Sequence, residues 1–181
     1  MKNKKFLIIG VIVLVITLVI ILLVRRERNV NVYTYPDSLV VSNHTDHKNV
    51  DTYSQIIINK IYNYDTVNLN VFYTPKDYST DEIDVAGFIQ KNPFVPHTYI
   101  IFMKKGGLSI SIKKFLSHEL IHLQQMEIGD LIQLQNQTKM VYLNDTIDLF
   151  QIPYDQRPYE KDASIKENGI LKSLNHLLYS K

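Results

Sequence analysis

Residues 118–122 read His-Glu-Leu-Ile-His, an HExxH pattern. On a helix, residues four apart lie on one face with about 5–6 Å between their Cβ atoms. The imidazoles of His118 and His122 can therefore converge on a single ion. Glu119, turned by about 100°, sits beside the remaining coordination position. Two histidines and an adjacent carboxylate suit Zn2+, which acidifies a water to a pKa of about 7. Glu119 would take the proton of that water and deliver it to a leaving amine. The sequence around the motif supports burial of such a helix: Phe115, Leu116, Leu120, Ile121 and Leu123 surround it. Two solvent-facing histidines around a glutamate are the plain alternative.

A catalytic zinc takes three protein ligands and keeps one position open. The continuation HExxHxxGxxH is excluded, because Gln125 and Ile128 stand where it needs glycine and histidine. A carboxylate from a later helix is the other route. Residues 157–163 read Arg-Pro-Tyr-Glu-Lys-Asp-Ala at the start of the last helical segment. Glu160 would lie in the first turn of that helix, where a negative charge is favoured. Asp162 competes with it but points about 200° away on the helix. His176 lies further along the same segment.

The elements that must position these groups follow from periodicity. Residues 49–62 predict a helix with Ile56, Ile57 and Ile61 as its apolar stripe. Residues 67–74 alternate at Val67, Leu69, Val71 and Tyr73, a half-buried strand. Residues 85–90 and 97–105 predict two more strands, and Gly106-Gly107 a turn after them. The motif helix follows over 109–126, with serines available to cap it. Residues 140–150 suggest a hairpin turning at Asn144-Asp145, and residues 152–160 an irregular stretch. A last helix over 163–180 would bury Ile170, Leu171, Leu174, Leu177 and Leu178. The fold class is α+β: a small mixed sheet, a backing helix, the motif helix and a C-terminal ligand helix.

The chain has 181 residues, and residues 6–24 are uncharged and almost wholly apolar. Eighteen or more such residues suffice to cross a bilayer core of about 30 Å. The segment is longer than a signal-peptide h-region and ends in Val-Arg-Arg-Glu-Arg, not at a small-residue cleavage site. It reads as a retained single-pass anchor. Residues 1–28 form that anchor with its basic flanks, 29–48 a stalk with one or two short strands (30–35 and 38–42), and 49–181 the catalytic domain. Beyond residue 28 there are 14 basic and 17 acidic side chains, which excludes a nucleic-acid-binding surface and suits a soluble monomeric domain. Cysteine is absent, so disulfides and thiolate metal sites are excluded. Three lysines precede the span and three arginines follow it. The short N-terminal tail then favours an extracytoplasmic domain.

The stretches SHELIHLQQ and RPYEKDA together resemble the gluzincin branch of zinc metallopeptidases. Small predicted peptidases of bacteria and phages are similar too, with Pro153-Tyr154, Arg157-Pro158 and Glu160 to Ala163 matching their pattern. The resemblance spans about residues 85–175. It implies a zincin-like fold, zinc held by His118, His122 and Glu160, Glu119 as general base, and a peptide or protein substrate. It also implies that the strand before the motif helix, Thr98 to Lys104, is a sheet edge that pairs with extended substrate. The chain departs from the gluzincin pattern at Ala163 and Ser164, where an aspartate often supports the ligands.

Tyr154, Arg157 and Tyr159 are candidate donors to a tetrahedral oxyanion. His97, His44 and His47 read as surface histidines. A binding or assembly protein on the same scaffold, without catalysis, is the second functional reading. The anchor reading has a direct consequence: the full-length chain should stay with the membrane through high-salt and alkaline washes. Recovery in the wash, or as a form shortened by residues 1–28, would show that the segment is not a retained anchor.

Overall fold

The computed structural model describes residues 38–74, 86–105, 111–134 and 138–180. The expected anchor, the first of the expected stalk strands and the glycine turn at 106–107 lie outside them. Among the described residues, no helix is long and apolar enough to cross a membrane.

The chain is a mixed α+β structure. Strand β1 (Val40–Asn43) leads to helix α1 (Val50–Gln55), which continues as a π-helical stretch (Ile56–Ile61). Strands β2 (Asn68–Tyr73), β3 (Gly87–Lys91) and β4 (Thr98–Met103) follow, then helix α2 (Ile112–Glu127). Next come β5 (Leu131–Gln133), β6 (Lys139–Tyr142) and β7 (Asp145–Asp148). A 3₁₀ turn (Tyr154–Gln156) leads into helix α3 (Pro158–Tyr179).

The first sheet has the order β1-β2-β4-β3. Strands β1, β2 and β4 run parallel, and β3 is antiparallel to β4 on the outside. Strand β1, read as part of the stalk, is thus part of the main sheet. Strand β4 is interior, not an edge: β2 and β3 flank it on both sides. The edge beside the motif helix is β3. The physical reason is that β3 turns back from β4 as a hairpin and occupies the position that substrate was expected to take.

The core lies on one face of this sheet. Leu69, Val71, Tyr99, Ile101 and Met103 project from the strands onto Leu116, Leu120 and Leu123 of α2, with Ile57 and Ile58 of α1 beside them. Both isoleucines are wholly buried. The end of α1 widens to accommodate them, and Tyr62 N–H bonds to the Ile57 carbonyl five residues back. The expected helix over 49–62 is therefore present but changes type halfway.

The second sheet is antiparallel, with order β5-β6-β7. The expected hairpin is there, but its register is shifted by one residue. Tyr142 pairs with Asp145, so the two-residue turn is Leu143-Asn144, both at positive φ. Such a turn matches the twist of the strands. This register puts Met140 opposite buried Ile147 on the core-facing side. Helix α3 begins five residues earlier than the periodicity suggests, and Leu177 points outward, 45% exposed. Leu174 is fully buried and Ile170 and Leu178 pack against the core.

Gly87 sets how closely β3 lies on α2. A Cβ there would run into the Phe102 carbonyl and come within 2.8 Å of the Phe115 ring. Neither the backbone of a neighbouring strand nor a fully buried ring yields easily. Gly87→Ala should therefore lower stability by about 1–3 kcal/mol, as overpacking does, read as a drop in the urea midpoint. An unchanged midpoint would mean that β3 can lift from α2.

Candidate metal centre

Two helices carry the site. Ser111 caps α2, its hydroxyl accepting from Lys114 N–H at 3.3 Å. The body of α2 is buried on several sides, so its rotation is fixed by Leu116, Leu120 and Leu123 in the core. That rotation turns His118 and His122 toward α3. Helix α3 starts with Pro158 at its first turn, a position that needs no N–H donor. Buried Tyr159 and Ala163 then fix which way the first turn faces, and Glu160 points at α2.

Three ligand-type atoms meet there. His118 Nε2 lies 3.0 Å from Glu160 Oε2, and His122 Nε2 lies 3.2 Å from the same oxygen. The two imidazole Nε2 atoms are 3.3 Å apart. All three side chains are nearly buried, with exposures of 14%, 6% and 8%. Tetrahedral zinc with bonds of about 2.0–2.1 Å separates its ligand atoms by about 3.3 Å.

The partners behind the rings show why a cation fits. Gln125 Nε2 donates to the Tyr159 carbonyl at 3.3 Å and to Asp162 Oδ2 at 2.8 Å. Both partners only accept, so the orientation of the amide is settled. Its Oε1 therefore faces His122 Nδ1 at 2.8 Å and requires a proton on that nitrogen. Likewise Glu167 Oε2 accepts from His118 Nδ1 at 3.3 Å. In their neutral forms both rings then present bare Nε2 lone pairs toward each other and toward a carboxylate oxygen. Three acceptors in van der Waals range are held together only by something positive between them, a proton or a metal ion.

The electrostatics agree. Burial opposes charge on His118, but the Glu160 hydrogen bond and Glu119 outweigh it, and its pKa stands above the ordinary imidazole value. His122 is raised in the same way, burial being outweighed by Glu160, Glu119 and Gln125. Burial would lift Glu160, yet hydrogen bonds from both histidines and from Tyr154 hold it down at about 2. Burial pushes Glu119 up to about 7 against the pull of His122 and His118. The Glu119 carboxylate also accepts a hydrogen bond from the backbone of Ile89 on β3.

Glu119, His122 and Glu160 face a cleft of about 700 Å³ between β3, α2 and the second sheet. Tyr154 lines it and donates to the Glu160 carboxylate. Arg157 also lines it, but its Nε donates to the Ile152 carbonyl at 3.2 Å and an Nη to the Leu149 carbonyl at 2.9 Å. Its guanidinium thus holds the loop before α3 in place. Tyr159 is buried, edge-on to His122 at 5.7 Å. Asp162 is kept from the triad by Gln125 and by Lys166, 2.7 Å away. His176 is exposed and outside the cluster; among the described residues, His118, His122 and Glu160 are the group that converges. His97 meets Glu127 at 2.6 Å.

Sequence reasoning missed Gln125 and Glu167. Glu167 follows Glu160 by seven residues, two helical turns, and so returns to the same face. It takes the place of the aspartate absent at 163 and 164. Outer partners of this kind typically change metal affinity by about 10–100-fold when removed. Glu167→Ala and Gln125→Leu should each weaken zinc binding to that degree in a chelator competition. His118→Ala, His122→Ala and Glu160→Ala should abolish stoichiometric binding, and Asp162→Ala should act only through Gln125. A larger loss in Asp162→Ala than in Glu160→Ala would overturn the ligand assignment.

No protein-family model, no curated protein and no solved structure matches this chain.

Proposed function

We propose that this chain is a membrane-anchored, zincin-like zinc metallopeptidase that hydrolyses peptide bonds with Glu119 as general base. The observation that carries the proposal is the convergence of three lone-pair-bearing atoms with Glu119 beside them, open to a cleft and bordered by a strand edge. Three protein ligands leave a fourth position for chemistry, as catalytic zinc sites do and closed structural sites do not. Bound zinc would supply Lewis acidity and an acidified water.

The chain's own residues do the rest. Glu119 accepts the proton of the attacking water and returns it to the departing nitrogen. Burial raises the affinity of its carboxyl for the proton it must accept. The Tyr154 hydroxyl lines the cleft and is held at Glu160; turning its one proton away from that carboxylate would let it meet charge developing on the substrate carbonyl oxygen. The outer edge of β3 offers backbone groups to an extended peptide, a mode that gives affinity with little demand on sequence. By the sequence reading, residues 6–24 hold this domain on the outer side of a membrane as a monomer.

Glu119→Gln keeps size and hydrogen bonding but cannot accept the proton. Against a mixed peptide library the variant should retain zinc and lose about 10²–10⁴-fold in rate, the scale of general-base loss. Undiminished cleavage would remove Glu119 from the mechanism. Zinc-loaded wild type that cleaves no peptide would favour the binding-protein reading.

Acidity supplies a second test. Zinc displaces protons from both imidazoles, and their raised pKa values mean that protons compete from above the ordinary value of about 6.5. As pH falls through that range, zinc affinity should drop by about tenfold per unit for each proton displaced. Full zinc retention at pH 4 would argue against a histidine-held site.

A further inference from the structure

The backbone groups of β3 divide into two sets. Lys104 N–H donates to the Ala86 carbonyl at 2.9 Å, and Asn92 N–H to the Thr98 carbonyl at 2.8 Å. Residues 86, 88, 90 and 92 therefore turn their N–H and C=O groups toward β4, and Gly87, Ile89 and Lys91 turn theirs to the open edge. The edge is already partly taken. Gln133 Nε2 donates to the Ile89 carbonyl at 3.1 Å, and Gln133 Oε1 accepts from Lys91 N–H at 3.0 Å. One primary amide thus fills the donor and acceptor positions that the N–H and C=O of one residue in a neighbouring strand would take. Gln133 is the last residue of β5, so a side chain of the second sheet closes the edge of the first.

Helix α2 runs alongside β3 and gives this edge a direction. Phe115 lies at Gly87, the Glu119 carboxylate at Ile89, and Glu127 near Lys91. The reacting bond therefore belongs at the level of Ile89, and Gln133 begins there and extends to Lys91. A strand advances about 3.3 Å per residue, so the amide covers the length of edge, Ile89 to Lys91, with which substrate backbone would pair on this side. On the other side Gly87 also lines the cleft. Beyond Ile89 toward Lys91 its walls are Met126, Leu131, Leu134 and Phe94, an apolar pocket.

We infer that Gln133 determines specificity: its side-chain amide holds the stretch of β3 edge from Ile89 to Lys91 that substrate backbone would pair with, and so limits the chain to peptides that are short on that side and carry an apolar residue there. This deepens the metallopeptidase reading and rests on it. The peptide pairs with the edge at Gly87, its short side stops against Gln133, and its apolar side chain enters the pocket. Removing the amide opens the edge to longer segments.

The test uses full-length, zinc-loaded chain with a peptide library whose cut positions are read by mass spectrometry. Wild type should cut close to one terminus and favour an apolar residue there. Gln133→Ala should gain at least tenfold in kcat/KM for internal bonds. A readout independent of turnover is hydrogen exchange at the Lys91 amide, which should be protected in wild type and at least tenfold faster in Gln133→Ala. Gln133→Glu, which can still accept from Lys91 but cannot donate to Ile89, should keep that protection and so control for misfolding. Internal cuts by wild type in the same pattern as Gln133→Ala would overturn the inference and leave the peptidase reading intact. Fast exchange at Lys91 in wild type would overturn it as well. No cleavage by either protein with zinc bound would sink the peptidase reading, and this inference with it.

Discussion

Three acceptor atoms forced together in a buried place are the constraint on which this structure turns. A single buried acceptor without a partner costs about 1–3 kcal/mol, and an uncompensated carboxylate costs more. The chain tolerates His118, His122 and Glu160 at 3.0–3.3 Å from one another because the surrounding elements allow no alternative. Helix α2 cannot rotate without exposing Leu116 and Leu120, and α3 cannot without exposing Tyr159 and Ala163. Gln125 and Glu167 then fix the ring nitrogens from behind. The packed core thus spends its rigidity on holding a cation-shaped gap, and the cleft and the strand edge are arranged around it.

Much of this was legible because it is local. The HExxH spacing is a statement about helical geometry, and the apolar residues around it announce a buried helix. Glu160 was legible from the run of residues 157–163, which puts it in the first turn of the last helix, although periodicity starts the regular helix only at 163; Pro158 in fact opens it. The alternation of Val67, Leu69 and Val71 also carried over directly, with all three buried. These signals depend on neighbours within one or two turns, which a single sequence displays.

What was not legible depends on pairings between distant segments. The alternation in residues 98–103 says that they form a strand, but not that β3 lies outside and β2 inside it. The hairpin register was missed by one residue because leucine is a poor candidate for positive φ. The pairing of Met140 with Ile147 decides the matter, and that is a tertiary fact. Leu177 fits the helical stripe but falls on its outer border, while Leu178 beside it packs against the core. Gln133 gives no local signal at all, since its partners are backbone groups 42 and 44 residues away.

The chain contains no cysteine and hence no covalent cross-link. The meeting of His122 with Glu160 joins positions 38 residues apart, and everything between them, the second sheet included, lies within that loop. A metal ion gripping both ends would stabilise the folded chain by its binding free energy, because its ligands come together only on folding. Coordination would thus also serve as the fastening that keeps one wall of the cleft attached to the rest, and chelation would loosen that wall along with the chemistry.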